Sequence, residues 1–134
     1  MRARIAEELS LLREHYPSVD HVEKGGEDWF RLPSYSFPPG WRIGNQPITE
    51  APIVFKIVAA FPTAEPYGFA APARINFNGD PPQNTGSPVD YPFDGDWQHF
   101  SWSPDGWTPT SSARGGSNLL AWVRSFRRRL EEGA

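Results

Sequence analysis

The chain has 134 residues, a formal net charge of −3 and no cysteine. This length suits one domain, spanning residues 1–134, whose core needs neither disulfides nor a structural metal. The absence of cysteine excludes disulfides, thiolate metal sites and cysteine nucleophiles. The slight acidity, without a long basic run, argues against nucleic acid as a partner. We expect no cofactor and no bound metal.

The first residues of the chain, MRARIAEE, mix charged and apolar side chains. They lack the unbroken apolar stretch of a signal peptide, and no later segment reaches the length of a membrane span. We therefore expect a cytoplasmic protein that does not bind a membrane.

An amphipathic helix is predicted over residues 3–16. Its apolar side chains recur at helical spacing, at Ile5, Leu9, Leu12 and Tyr16. The polar side chains expected to face solvent are Glu7, Glu8, Arg13 and Glu14. Pro17 ends the helix.

Strands are expected next. Residues 19–23 and 29–37 flank Gly25-Gly26 and predict a hairpin, which Pro38-Pro39-Gly40 closes. Residues 53–60, IVFKIVAA, are rich in β-branched side chains and predict a central strand. Its shared face is expected to contain Ile53, Phe55, Ile57 and Ala59.

Residues 61–116 show no sustained period and contain many prolines, which predicts loops and short strands. A final helix is then expected, capped by Ser117 and ended by Gly133. Its apolar stripe consists of Leu119, Leu120, Val123, Phe126 and Leu130. The basic run 127–129 suits the negative end of this helix. The order of helix, strands, loop and helix predicts an α+β fold.

Six short segments carry a family resemblance. Residues 61–69, FPTAEPYGF, resemble the proline-rich segment that follows the third strand of ubiquitin-conjugating enzymes. Residues 97–102, WQHFSW, then 107–109, WTP, and the final helix resemble the second half of prokaryotic family E of the ubiquitin-conjugating-enzyme-like (UBC-like) superfamily. Leu32-Pro33 and Pro38-Pro39-Gly40 resemble the start of that group. The order and spacing of these motifs carry the resemblance, which spans nearly the whole chain.

The resemblance implies a UBC-like domain with an N-terminal helix, an antiparallel meander of about four strands, a long active-site loop and a C-terminal helix. It also implies a bacterial ubiquitin-like conjugation pathway, with phage defence as a setting. In such a pathway, the protein receives the C-terminus of a ubiquitin-like protein from an adenylating, ubiquitin-activating-enzyme-like protein. It then passes that C-terminus to a target protein.

Two departures from the family pattern bear on chemistry. The stretch where the catalytic cysteine is expected, residues 100–107, offers only Ser101 and Ser103. The His-Pro-Asn motif is also absent, because Asn76 and Asn78 stand too far upstream. This chain therefore cannot form a thioester.

Ser101 is the candidate replacement nucleophile, with His99 as its general base. In an extended segment, side chains two residues apart point to the same side, so the imidazole is placed to take the hydroxyl proton. An oxyester would then replace the thioester. Two alternatives stay open: an inactive scaffold that binds the activating enzyme or the ubiquitin-like protein, and an active enzyme whose native Cys has been replaced.

Five residues are predicted to bind partners. Arg2, Arg4 and Glu8 lie on the first helix, which resembles the helix that conjugating enzymes present to the activating enzyme. Trp102 and Trp107 fit the family pattern near the proposed nucleophile. An ordinary solvated helix and tryptophan core packing remain the simpler explanations.

Other candidates carry weaker signals. A carbohydrate or peptide module would use Trp97, Trp102 and Trp107 for stacking. An acidic set near Ser101, able to orient a lysine or simply solvated, consists of Asp90, Asp94, Asp96 and Asp105. His15 and His21 lack metal-ligand spacing and are predicted to be surface residues.

Overall fold

A computed structural model describes residues 2–83, 85, 90–104 and 106–134. Its two helices are α1 (Ala3–His15) and α2 (Leu119–Glu131). The strands between them are β1 (Asp20–Lys24), β2 (Glu27–Ser36), β3 (Trp41–Ile43), β4 (Gln46–Pro47), β5 (Glu50–Ile57), β6 (Phe69–Pro72), β7 (Ile75–Phe77) and β8 (Trp97–Phe100). The protein is therefore α+β, with one helix before the strands and one after them, as predicted.

The described strands form two antiparallel sheets rather than one sheet of about four strands. The larger sheet has the order β1-β2-β5-β6-β8, and the smaller has the order β4-β3-β7. The extra strands arise because Pro38-Pro39-Gly40 leads into a second, short hairpin instead of a loop. Gly44 lies in the turn of that hairpin with φ of 60°, a conformation that glycine adopts without strain.

Strand β5 is central, as predicted, but its bounds are shifted. It begins at Glu50, which pairs with Ser36 of β2, and it ends at Ile57. The chain then turns, with the Phe61 amide donating to the Val58 carbonyl at 3.1 Å. Ala59 is consequently exposed, and the prediction that it shares the buried face is wrong.

The core is rich in aromatic rings. Phe126 of α2 stacks on Phe69 at a centroid separation of 4.3 Å and meets Phe55 at 5.9 Å. The predicted stripe of α2 is buried throughout, at Leu119, Leu120, Val123, Phe126 and Leu130. This stripe covers one face of the larger sheet.

Two buried hydrogen bonds fix α2 along its length. The Tyr35 hydroxyl donates to the Val123 carbonyl at 2.7 Å, and Trp41 Nε1 donates to the Leu130 carbonyl at 2.9 Å. Burial raises the pKa of Tyr35, so its hydroxyl stays a proton donor at neutral pH. Both ends of the helix are thereby held on the sheets.

The start of α2 differs from the prediction by one residue. Asn118 is the N-cap, and its side chain accepts from the Ala121 amide at 2.8 Å. The Ser117 hydroxyl instead accepts from the Thr108 amide at 2.7 Å. Ser117 therefore fixes the preceding loop rather than the helix.

Glu8 of α1 is fully buried, and the prediction that it faces solvent is wrong. Its carboxylate accepts from the Leu119 amide at 2.8 Å and from Arg4 Nε at 2.9 Å. The Leu119 amide is an orphan donor at the start of α2, where a negative charge is favourable. Glu8 thus joins the two helices.

Candidate functional site

Ser101 lies in an open groove at the end of the edge strand β8. The groove has a volume of about 430 Å³, and we call it the Ser101 groove; it is lined by Tyr67, Ser101, Trp102, Ser103, Arg129 and Glu132. Residues 67–68 and 101–103 form one wall of the groove. The Gly68 amide joins these two segments by donating to the Trp102 carbonyl at 2.8 Å. The end of α2 forms the other wall.

His99 is not among the described residues that line this groove. It pairs with Ala70 of β6, and its side chain projects from the sheet face opposite the buried Phe100. Its Nδ1 is buried and has no hydrogen-bond partner. Burial, together with the positive charge of Lys56, lowers the pKa of His99.

No hydrogen bond between described residues joins the proposed base to the proposed nucleophile. Among the described residues, neither the His99 imidazole nor the Ser101 hydroxyl forms a side-chain hydrogen bond. The neighbouring Ser103 hydroxyl is occupied, because it donates to Glu65 Oε1 at 2.8 Å. The roles of Ser101 and His99 in catalysis stay predictions.

Gly68 leaves room for the His99 ring because it has no side chain. Its φ is 77°, and a Cβ added there would lie 2.4 Å from His99 Nε2. We expect Gly68→Ala to destabilise the fold by about 1–2 kcal/mol from the backbone conformation alone, with a further cost from displacing the ring. Urea unfolding checks this value, and Gly79→Ala is the control, because its added Cβ would meet nothing within 4 Å although its φ is also positive, at 95°. Equal losses in both variants would show that the imidazole contact contributes nothing.

Arg129 forms part of the groove wall although it is only 3% exposed. Its Nη1 donates to the Gly133 carbonyl at 2.7 Å and its Nη2 donates to the Gln83 carbonyl at 2.8 Å. Its Nε is buried and has no hydrogen-bond partner among the described residues. The guanidinium also lies 5.2 Å from the centroid of the Phe100 ring. Burial lowers its pKa, and the nearby Glu132 carboxylate partly offsets that effect.

Of the predicted partner-binding residues, only Trp102 lies in the Ser101 groove. Its Nε1 donates to Ser125 Oγ at 3.0 Å, and the Arg128 guanidinium lies 5.6 Å from its ring centroid. The ring is half-buried against α2.

Three other predicted partner-binding residues converge on a different place, the segment 59–62. Arg2 Nη1 donates to the Phe61 carbonyl at 2.6 Å, and the Arg4 guanidinium lies 5.9 Å from the Phe61 ring centroid. Trp107 Nε1 donates to the Pro62 carbonyl at 2.8 Å. These side chains fix the turn after β5. Contact with an activating enzyme through them, or through the buried Glu8, stays a prediction.

The opposite face of the larger sheet carries a separate aromatic set. Tyr91 packs between Trp29 and Trp97, at centroid separations of 5.5 Å and 6.4 Å. Burial raises the pKa of Tyr91 to about 12. Trp97 therefore lies apart from Trp102 and Trp107, and the three tryptophans do not form one stacking surface.

The predicted acidic set is divided in the same way. Asp90, Asp94 and Asp96 are all exposed, and Asp90 and Asp96 line a cavity of about 390 Å³ beside Trp97. Asp105 lies outside the described residues. Asp90, Asp94 and Asp96 do not line the Ser101 groove.

The two histidines of the N-terminal half differ. His15 is exposed, as predicted. The prediction that His21 is a surface residue is wrong: its side chain is 11% exposed, packs on Phe30 and lies 2.7 Å from Asp28 Oδ1.

The part of the chain that the structure describes contains no group of three His, Cys, Asp or Glu side chains able to hold a metal ion. No described helix has the length and apolarity to cross a membrane.

Sequence reasoning missed three residues of the groove: Tyr67, Arg129 and Glu132. Tyr67 is 61% exposed, which is unusual for a large aromatic ring in this protein. Its place in the proline-rich segment was a usable signal, whereas the burial of Arg129 depends on Gln83, 46 residues away.

Comparisons with protein families, curated proteins and solved structures find no match to this chain.

Proposed function

We propose that this chain is a non-catalytic, UBC-like scaffold of a bacterial ubiquitin-like conjugation pathway. In this proposal it holds the C-terminal tail of a ubiquitin-like protein in the Ser101 groove without forming a covalent bond. The activating enzyme and the target protein bind elsewhere on its surface. The observation that carries the proposal is an open groove around Ser101 in which no base among the described residues forms a hydrogen bond with the Ser101 hydroxyl.

The groove is poorly equipped for acyl transfer. A serine hydroxyl is a weak nucleophile unless a base takes its proton and donors stabilise the oxyanion. His99 does not line the groove, and among the described residues neither His99 nor Glu132 forms a hydrogen bond with Ser101. Without such a base an oxyester would form slowly.

The groove is better suited to binding an extended chain. It combines the exposed Tyr67 ring and the Trp102 ring with the Ser101 hydroxyl. Aromatic rings supply contact area, and a few polar groups set the register of a bound peptide. The order of helix, antiparallel sheet and helix is compatible with the UBC-like assignment.

A substitution that fills the groove tests the binding role. We expect Ser101→Trp to weaken binding of the ubiquitin-like protein about tenfold or more, because an indole occupies the space meant for the tail. Ser111→Trp is the control, since Ser111 is exposed and outside the groove. Isothermal titration of each purified variant measures the affinity, and equal affinities would contradict the proposal.

Intact-mass spectrometry then separates binding from transfer. The chain is incubated with the activating enzyme, ATP and the ubiquitin-like protein. We expect the activating enzyme to become charged while the mass of this chain stays unchanged. A hydroxylamine-sensitive adduct that disappears in Ser101→Ala would instead establish ester transfer at Ser101. Absence of any binding by the unmodified chain would reject the scaffold role.

A further inference from the structure

We infer that the Ser101 groove selects a chain that ends in a free carboxylate, with Arg129 supplying the positive charge. This inference rests on the proposed function and deepens it, because it names the chemical group that the groove binds. The ligand class is a C-terminal peptide acid rather than an internal peptide segment.

The inference starts from the state of the Arg129 charge. A guanidinium removed from water is costly unless it is paired and fully hydrogen-bonded. Arg129 is 3% exposed, and within the described residues it forms no ion pair within 4.0 Å and its buried Nε–H has no hydrogen-bond partner. Its two carbonyl partners do not neutralise the positive charge, which is left to attract an anion in the groove that Arg129 lines.

The lining of the groove favours a monoanion. Arg129 is its one cationic side chain among the described residues, and Glu132 contributes an opposing negative charge. A phosphate dianion would gain the attraction of one cation and feel the repulsion of Glu132. A carboxylate carries a single charge, and the hydroxyl of Ser101, which lines the same groove, is able to donate a hydrogen bond to it.

The aromatic side chains determine what precedes the carboxylate. Tyr67 and Trp102 line the groove, and its volume of about 430 Å³ admits a few small residues. The probes are therefore acetyl-Ala-Gly-Gly with a free C-terminal carboxylate and the same peptide as its amide. They differ only in the charge that Arg129 is inferred to recognise.

The test is a nuclear magnetic resonance titration of the ¹⁵N-labelled full chain. We expect the free acid to bind about tenfold more tightly than the amide, because a hydrogen bond to a charged group contributes about 1.5–3 kcal/mol. The Arg129 Nε–H resonance should shift downfield with the acid only. Equal affinities for acid and amide would overturn the inference, as would tighter binding of inorganic phosphate than of the acid.

Variants assign the preference to Arg129. Arg129→Met should abolish the difference between acid and amide, whereas Arg127→Met, which removes an exposed charge from the same helix, should leave it unchanged. If Arg129→Met does not fold, Glu132→Gln replaces it. Removing this competing charge should strengthen acid binding about twofold to fivefold without affecting the amide. An unchanged preference in Arg129→Met, or an unchanged acid affinity in Glu132→Gln, would count against Arg129 as the anion site.

The outcomes also separate this inference from the proposed function. If the intact ubiquitin-like protein binds but the two tripeptides bind equally, the carboxylate site is wrong and the scaffold role stands. If the acid tripeptide binds selectively but the ubiquitin-like protein does not bind, the site stands and the scaffold role fails.

Discussion

Phe126→Ala should destabilise the protein by about 3–5 kcal/mol, the usual cost of removing a buried phenyl ring. Phe126 is fully buried and lies 4.3 Å from the Phe69 centroid and 4.6 Å from the Trp122 centroid. The ring joins α2 to the sheet, so its loss leaves a cavity that these rigid neighbours fill poorly. Urea unfolding followed by tryptophan fluorescence measures the change, and Phe126→Leu should lose less.

The control for this prediction is another aromatic residue, Tyr67. Because Tyr67 is 61% exposed, Tyr67→Ala should change stability by no more than about 0.5 kcal/mol. The same variant should weaken binding in the Ser101 groove, which separates a binding role from a packing role. A loss below about 1 kcal/mol for Phe126→Ala would show that the contact between α2 and the sheet is not a main source of stability.

The helices and the central strand could be predicted because their patterns are local. The stripe of α2 follows a helical period over three turns, and all of its predicted members are buried. The run Ile53, Phe55 and Ile57 alternates as a strand does, and these side chains are buried in β5. In both cases one period determines which face is buried.

The smaller sheet could not be predicted because its strands are too short to show a period. Strand β7 has three residues and pairs with Trp41–Ile43, which precedes it by more than 30 residues. The sequence predicts that Pro38-Pro39-Gly40 closes a hairpin, although the same residues also suit the start of another hairpin. The pairing of β3 with β7 decides between these outcomes, and the local sequence contains no pattern that predicts this pairing.

The Ser101 groove was predicted only in part for the same reason. Alternation placed Ser101 and His99 on one side, but strand β8 ends at Phe100 and Ser101 opens toward α2 instead. The position of Arg129 at a helix end explained its charge without requiring burial. Its environment depends on the Gln83 carbonyl, which sequence spacing cannot place.

Glu8→Ala should destabilise the protein by about 3–5 kcal/mol, the typical cost of breaking a buried ion pair from one side. The carboxylate is fully buried and accepts from the Leu119 amide and from Arg4. Removing it leaves the guanidinium and an amide at the start of α2 without their partner. Thermal and urea unfolding measure the loss. Glu14→Gln is the control, because its ion pair with Arg114 is exposed and should contribute less than about 1 kcal/mol.

The same carboxylate gives stability a pH dependence of definite sign. Burial raises the pKa of Glu8 above its ordinary value of 4.5, although the bonds from Leu119 and Arg4 oppose that rise. A raised pKa means that the folded state binds the proton more tightly than the unfolded state. The proton-linked stabilisation is therefore complete below pH 4.5 and is lost as the pH rises through the folded pKa. Relative to Glu8→Gln, the wild type should gain stability as the pH falls through this window.

These Glu8 variants also determine how a loss of partner binding is interpreted. Glu8 was predicted to contact an activating enzyme, but a fully buried carboxylate can affect that contact only through the folding and docking of α1. Glu8→Gln keeps an oxygen that can accept from the Leu119 amide. Under conditions where this variant is folded, it should therefore bind the partner as the wild type does. Weakened binding by a natively folded Glu8→Gln, with Glu14→Gln unaffected, would mean that α1 rearranges to present residue 8 to its partner.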